Sequence, residues 1–218
     1  MKQKILFALC LMATCFFSNA QSSKATFGFT AGATIASYKA TVQSLSVRSD
    51  SKAGFTAGIM ASIDCGKHFY FQPGLSFTQK GGILKDVTTD TKNNGTFNYV
   101  ELPLNFVYNF HSTKGKFFLG AGPSVAMGIG GKYKITGMNT ESGKVKFGNS
   151  ESDDFKALEM GATILGGYQF SSGIFLAANY NFGLSNIAPK GSSGQEKVTI
   201  HNDYIGIKLG YLFLSKSK

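Results

Sequence analysis

Lys80, Glu101, Glu159 and Lys208 stand in stretches that otherwise carry almost no charge. All four fall on the same side of an alternating apolar/polar pattern, as do Asn105, Asn179 and Asn181. An ammonium and a carboxylate enclosed together stabilise one another, whereas either left alone in a poorly hydrated space is costly. The seven residues are therefore expected to form an internal salt-bridge and hydrogen-bond network. A sharper chemistry would make Glu101 and Glu159 a proton-transfer pair. Carboxylates in such an interior are usually structural partners, so the network is the reading carried forward.

A second constellation is weaker. Ser185, Glu196 and His201 lie near one end of two neighbouring segments and have the residue types of a lipid-ester hydrolase, but a triad is defined by geometry rather than by type. His68 and His111 sit beside other turns. Cys65 has Lys67 and His68 close in sequence, which could lower a thiol pKa; its plain reading is a small residue at a strand end. The sequence contains no metal-ligand cluster, phosphate loop or nucleotide fingerprint. No catalytic, cofactor-binding or metal residue is assigned, and no cofactor is expected.

What must position these groups is a set of strands. In Tyr99-Val100-Glu101-Leu102-Pro103-Leu104-Asn105-Phe106-Val107-Tyr108 the even positions are apolar and the odd ones mostly are not, which is the period of a strand with two different faces. The pattern recurs over residues 25–36, 52–64, 68–80, 99–110, 116–129, 154–170, 174–184 and 198–213. The connections alternate long and short. Residues 37–51, 81–95, 130–153 and 185–197 are the long ones; 65–67, 111–115 and 171–173 are the short ones. That alternation, with eight strands, predicts an all-β, antiparallel up-and-down transmembrane β-barrel with short turns on the periplasmic side and long loops outside.

Composition agrees. The 218 residues include 27 Gly, 4 Pro and no Trp, and only 16% are charged. Lys and Arg outnumber Asp and Glu 22 to 12, but the lysines are scattered through loops, so nucleic acid is not an expected partner. Met1-Lys2-Gln3-Lys4, an apolar run over 5–17 and Ser18-Asn19-Ala20 read as a cleaved signal peptide over 1–20, leaving a barrel domain over 21–218. Removing Lys2 and Lys4 leaves a charge of 20 − 12 = +8. Cys15 suggests a lipoprotein, but Met12 and Thr14 fit a lipobox poorly. Cleavage removes Cys10 and Cys15, so Cys65 has no internal disulfide partner.

A water-soluble, lipocalin-like calyx would show the same alternation. Two features favour a membrane. The second face is Gly, Thr, Ser, Asn and Gln rather than Lys and Glu. In addition Phe69, Phe71, Tyr108, Phe110, Phe117, Tyr168, Phe170, Tyr211 and Phe213 share the outward parity and gather beside the short turns, as a periplasmic aromatic girdle requires. Pro103 and Pro123 fall inside strands at nearly one level, which predicts a shared local defect or bulge.

Tyr99-Val100-Glu101-Leu102-Pro103-Leu104, with Phe71-Gln72-Pro73-Gly74-Leu75-Ser76-Phe77-Thr78-Gln79-Lys80-Gly81, resembles the PorT-like outer-membrane β-barrel family. Gly120-Ala121-Gly122-Pro123 and the segment from Asn179 to Ile187 are similar too. The resemblance implies a Gram-negative outer-membrane location, no cofactor and no catalytic set. It also raises an accessory role in protein secretion. The chain departs from the usual barrel end, because Leu214-Ser215-Lys216-Ser217-Lys218 follow the aromatic Phe213. The expected role is structural or interactive rather than that of an open pore. Partners are outer-membrane lipid and lipopolysaccharide, and a protein reached through the long loops, above all 130–153 with Lys132, Tyr133, Lys134, Lys144 and Lys146. A lipid-modifying enzyme and a soluble carrier are the competing classes.

Overall fold

A computed structural model describes residues 24–42, 45–86, 90–137, 140–150, 152–189 and 198–213. The signal-peptide assignment, Cys10, Cys15, Glu196 and the residues after Phe213 lie outside the described residues.

Twelve strands run in chain order: β1 (Ala25–Val42), β2 (Leu45–Arg48), β3 (Lys52–Asp64), β4 (Phe69–Asp86), β5 (Thr91–Ser112), β6 (Gly115–Thr136), β7 (Glu141–Val145), β8 (Phe147–Gly148), β9 (Phe155–Lys156), β10 (Leu158–Phe170), β11 (Ile174–Gly183) and β12 (Val198–Leu212). Eight of them, β1, β3, β4, β5, β6, β10, β11 and β12, close into a ring of antiparallel pairs. A closed ring satisfies every backbone group between neighbours and leaves no edge, which is what hydrocarbon demands.

The stagger of the ring follows from its register. Cα partners lead from Ala25 to Ile63, Phe71, Phe106, Ala121, Ile164, Tyr180, Ile205 and back to Ile35. The path returns 35 − 25 = 10 residues further along β1. Eight strands with that offset tilt by about 40° and enclose a space that side chains can fill.

The outer wall is apolar. Phe29, Ile59, Leu119, Ile164, Leu176, Ile207 and Leu209 are all exposed. Every residue assigned to the girdle has the outward parity, and their rings touch in separate groups along the rim beside the short turns. Phe69 meets Tyr108 at 4.9 Å, Tyr108 meets Phe110 at 4.7 Å, Phe117 meets Tyr168 at 4.7 Å, Tyr168 meets Phe170 at 4.9 Å and Tyr211 meets Phe213 at 5.4 Å. Phe71 meets Phe106 at 5.1 Å, one step higher.

The strands outrun the alternating pattern at the opposite, cell-surface end. Residues 81–95, expected as a loop, are mostly the ends of β4 and β5. Residues 130–153, expected to be irregular, hold the end of β6, then β7 and β8. β1 continues to Val42 and pairs with β2, inside what reads as a polar segment, and β10 begins at Leu158 rather than Asp154. Beyond the lipid a ladder still needs its backbone bonds but no longer an apolar face, so the hydrophobic period fades while the strand continues.

The prolines interrupt the ladder without shifting it. Pairing of β5 with β6 stops after Pro103–Ser124 and resumes at Phe106–Ala121. The sums 103 + 124 and 106 + 121 are equal, so no extra residue is inserted. Proline lacks an N–H, and the local loss of paired bonds absorbs the defect. The bulge lies elsewhere: Tyr99 faces Gly128 and Asn98 faces Gly130, leaving Ile129 extra. Gly130 has φ 141°, a conformation that glycine adopts readily.

Candidate functional site: a charged layer between two plugs

The lumen is filled in layers, and each layer comes from inward positions of the strands described above. Toward the cell surface, Tyr38, Phe97, Tyr99, Ala126 and Val145 form one buried cluster, with Leu84, Tyr133, Phe147, Phe155 and Ile200 packed against it. Phe147 and Phe155 arrive from the segment between β7 and β10, where β8 and β9 pair in parallel. The Phe147 ring stands 5.3 Å from that of Tyr99, and Phe155 stands 4.9 Å from Phe97. Gly128 permits this fit, since a Cβ there would lie 2.3 Å from the Phe147 ring. At the periplasmic end Val107, Phe118, Phe175, Ala177 and Leu212 form a second cluster, with Met60, Tyr70 and Leu165 against it. Each well-buried large apolar side chain contributes roughly 1.5–3 kcal/mol.

Between the plugs lies a charged layer. Lys80 on β4 donates to Glu159 on β10 at 2.7 Å and stands 3.5 Å from Glu101 on β5. All three residues are 2% exposed. The Tyr204 hydroxyl on β12 donates to Glu101 Oε1 at 2.7 Å. Asn202 Nδ2 donates to Glu159 Oε2 at 3.3 Å and to the Tyr99 hydroxyl at 3.4 Å. The Lys80 ammonium also lies 4.8 Å from the centre of the Tyr99 ring and 5.0 Å from that of Tyr204. One cation is thus held by two carboxylates and two aromatic faces, which offsets the desolvation of burying it.

The sequence-derived network divides at this point. Lys80, Glu101 and Glu159 meet. Asn181 joins a separate group, donating to Ser124 Oγ at 2.7 Å and Thr163 Oγ1 at 2.9 Å. Asn105, Asn179 and Lys208 belong to neither. They line a cavity of about 80 Å³ below the charged layer, together with the Glu101 and Gln72 side chains. Lys208 lines the same cavity as Glu101 but forms no ion pair with either carboxylate among the described residues. Asn105 Oδ1, both amide atoms of Asn179 and Glu101 Oε2, the last with only its 3.5 Å ion-pair contact to Lys80, find no hydrogen-bond partner among the described residues. A polar cavity of this size has room for water, which satisfies such groups in closed interiors.

Tyr99, Tyr204 and Asn202 are partners in the network beyond the seven expected residues. Their signal was present, because each has inward parity, and a buried phenol or amide needs a polar neighbour. Of the hydrolase residues, Ser185 and His201 are not brought together, and Glu196 lies outside the described residues. Ser185 Oγ accepts from the Met160 N–H at 2.8 Å and the His201 ring contacts the Gly183 carbonyl at 3.0 Å, with no hydrogen bond between Ser185 and His201 among the described residues. His68 stacks 5.5 Å from Tyr108 at the periplasmic rim. Cys65 is free and exposed. Among the expected loop contacts, Tyr133 packs inward instead of facing out, because the extra residue Ile129 reverses the faces of β6 beyond it.

A closed eight-stranded ring, apolar outside and polar or aromatic within, defines a membrane β-barrel of the outer-membrane type. The chain belongs to the outer membrane protein beta-barrel domain family, whose pattern matches residues 19–188. It is therefore a protein of a Gram-negative outer membrane. Solved structures similar to it include Neisserial surface protein A (NspA), at 15% identity over 87% of this chain and 99% of that one, with a TM-score of 0.46. OprG from Pseudomonas aeruginosa is similar at 11% identity over 88% and 98%, with a TM-score of 0.47. Ail, the attachment invasion locus protein of Yersinia pestis, is similar at 13% identity over 87% and 99%, with a TM-score of 0.43. The sequence matches none of the curated proteins.

Proposed function

We propose that this barrel is a closed, non-conducting scaffold that presents its cell-surface strand ends and loops to partners. The observation that carries this reading is the filling of the lumen. The aromatic plug around Tyr99, Phe147 and Phe155, the Lys80–Glu101–Glu159 layer and the lower plug around Phe118 and Phe175 follow one another along the axis. An ion would have to displace all three. A rigid wall with elaborated ends fits the common division of labour in which a scaffold positions its loops for binding. The reading gives the protein no catalytic step.

Planar-bilayer recording tests it. The folded protein is expected to give no discrete conductance steps. Regular single-channel openings that persist on purification would refute a closed scaffold. The likeness of the segments from Phe71 to Gly81 and from Tyr99 to Leu104 to PorT-like barrels supports a second reading, an accessory of protein secretion. Deleting the gene and measuring the secreted proteins tests that role; an unchanged secreted set would remove it.

A further inference from the structure

The bulge at Ile129 has a consequence for charge. On β5 burial alternates without a break from Glu101 to Gly95, so Val100, Asn98 and Thr96 face outward. Thr96 pairs with Lys132 and Lys132 with Lys144, while Asn94 pairs with Lys134. Cross-strand partners share a face, so Lys132, Lys134 and Lys144 form a ladder on the outer surface of the wall. Without the extra residue, Lys132 and Lys134 would point inward and Tyr133 outward. Lys52 reaches the same surface, where its ammonium donates to Asn94 Oδ1. These residues line one shallow concavity.

The height of the ladder is as informative as its charge. The last apolar outward residue beside the ladder is Ile129, 51% exposed and level with Gln79 and Asn98, which are joined by a 3.1 Å hydrogen bond. Thr96 and Lys132 come next, so the lysines begin about 5 Å above the apolar belt at the observed tilt. Headgroup phosphates of the outer leaflet occupy that zone. No carboxylate forms an ion pair with Lys52, Lys132, Lys134 or Lys144 among the described residues. Asp50 is taken by Lys85 at 2.7 Å, and Glu141 accepts from the Tyr133 hydroxyl on the opposite face. Adjacent cations without counter-charges, facing sideways at headgroup level, suit an anion that the membrane itself supplies.

Resting on the reading of the chain as an outer-membrane barrel, we infer that this ladder is a binding site for a phosphorylated lipid headgroup of the outer leaflet. The test uses the folded full-length mature chain in detergent, with bisphosphorylated lipid A and the same lipid A stripped of phosphate as probes. Removing all three charges in K132Q/K134Q/K144Q is expected to weaken binding of the phosphorylated lipid roughly hundredfold, about a factor of five for each lysine. The triple arginine variant is expected to retain binding, and neutralising Lys67 and Lys114 on the periplasmic turns to leave it unchanged. Excess inorganic phosphate should not displace the lipid; displacement would mean a site for soluble anions and overturn the proposal. Equal affinity for both lipids, or an unchanged triple glutamine variant, would also overturn it. Folding is read separately from the heat-dependent shift on gels. A barrel that shifts but binds the phosphorylated and phosphate-stripped lipids equally sinks this site alone, whereas a wild-type chain that neither shifts nor binds either lipid sinks the membrane reading.

Discussion

Lys80 and Lys132 are both strand lysines, yet they live under opposite rules. Lys80 points into the lumen, where two carboxylates and two phenol rings enclose it. Lys132 points out at headgroup height, beside Lys144 and Lys134, with no acid paired to it among the described residues. An interior charge must bring its own counter-charge, because nothing else can supply one. A charge at the membrane surface can leave that part to the lipid. Inside, the lysine is a structural partner; outside, it is a receptor for something else.

The largest way to break this contrast is to remove the interior cation. Lys80→Met leaves Glu101 and Glu159 buried together, and the expected loss is about 3–5 kcal/mol, as for other broken buried pairs. It would be read as unfolding at a lower temperature on a heat-shift gel. Unchanged heat resistance would mean that the charged layer does not hold the lumen. Removing all three charges at once, as Lys80→Met with Glu101→Gln and Glu159→Gln, should recover most of that loss, since neither carboxylate is then buried as an unpaired ion. A triple variant weaker than Lys80→Met would contradict the pairing.

Gly128→Val tests the plug above the layer. The new side chain would collide with Phe147, and overpacking of this kind costs about 1–3 kcal/mol. Heat resistance should fall, while bilayer recording should still find no openings because the lower plug remains. Neutralising Lys134 alone should leave the heat shift in place, in contrast to Lys80. The smallest effect concerns the face opposite the lysine ladder. The Glu141 carboxylate holds the Tyr133 phenol above its ordinary pKa, so Glu141→Gln should bring that titration down. Carbon-13 NMR of the tyrosine ring would follow it. An unmoved Tyr133 would mean that Glu141 serves the lysine ladder instead.

The membrane-embedded wall was legible in the sequence because lipid imposes a strict parity there. The strand cores, the short turns and the girdle from Phe69 to Phe213 all follow from that parity and from aromatic spacing. Lys80, Glu101 and Glu159 were legible as partners because charges of inward parity have few places to go. Three things were not. The cell-surface extensions of β4, β5 and β6 carry backbone bonds without a hydrophobic period. The bulge at Ile129 depends on one inserted residue, which Pro103 and Pro123 do not foretell, although they do mark the gap in the ladder at their own level. The two plugs also escaped notice, since Phe118, Phe147 and Phe175 look like ordinary apolar residues until their direction is known.

Everything turns on which face meets lipid, and two neighbouring residues on β6 decide it. Leu119 is 60% exposed and Phe118 is 7% exposed, and the chain contains no native Trp. Leu119→Trp and Phe118→Trp, each folded into bilayers containing brominated lipid, therefore report one fluorophore apiece. Strong quenching of the tryptophan at 119 and little at 118 is the expected result. Quenching at 118 with none at 119 would turn the wall inside out and contradict the account.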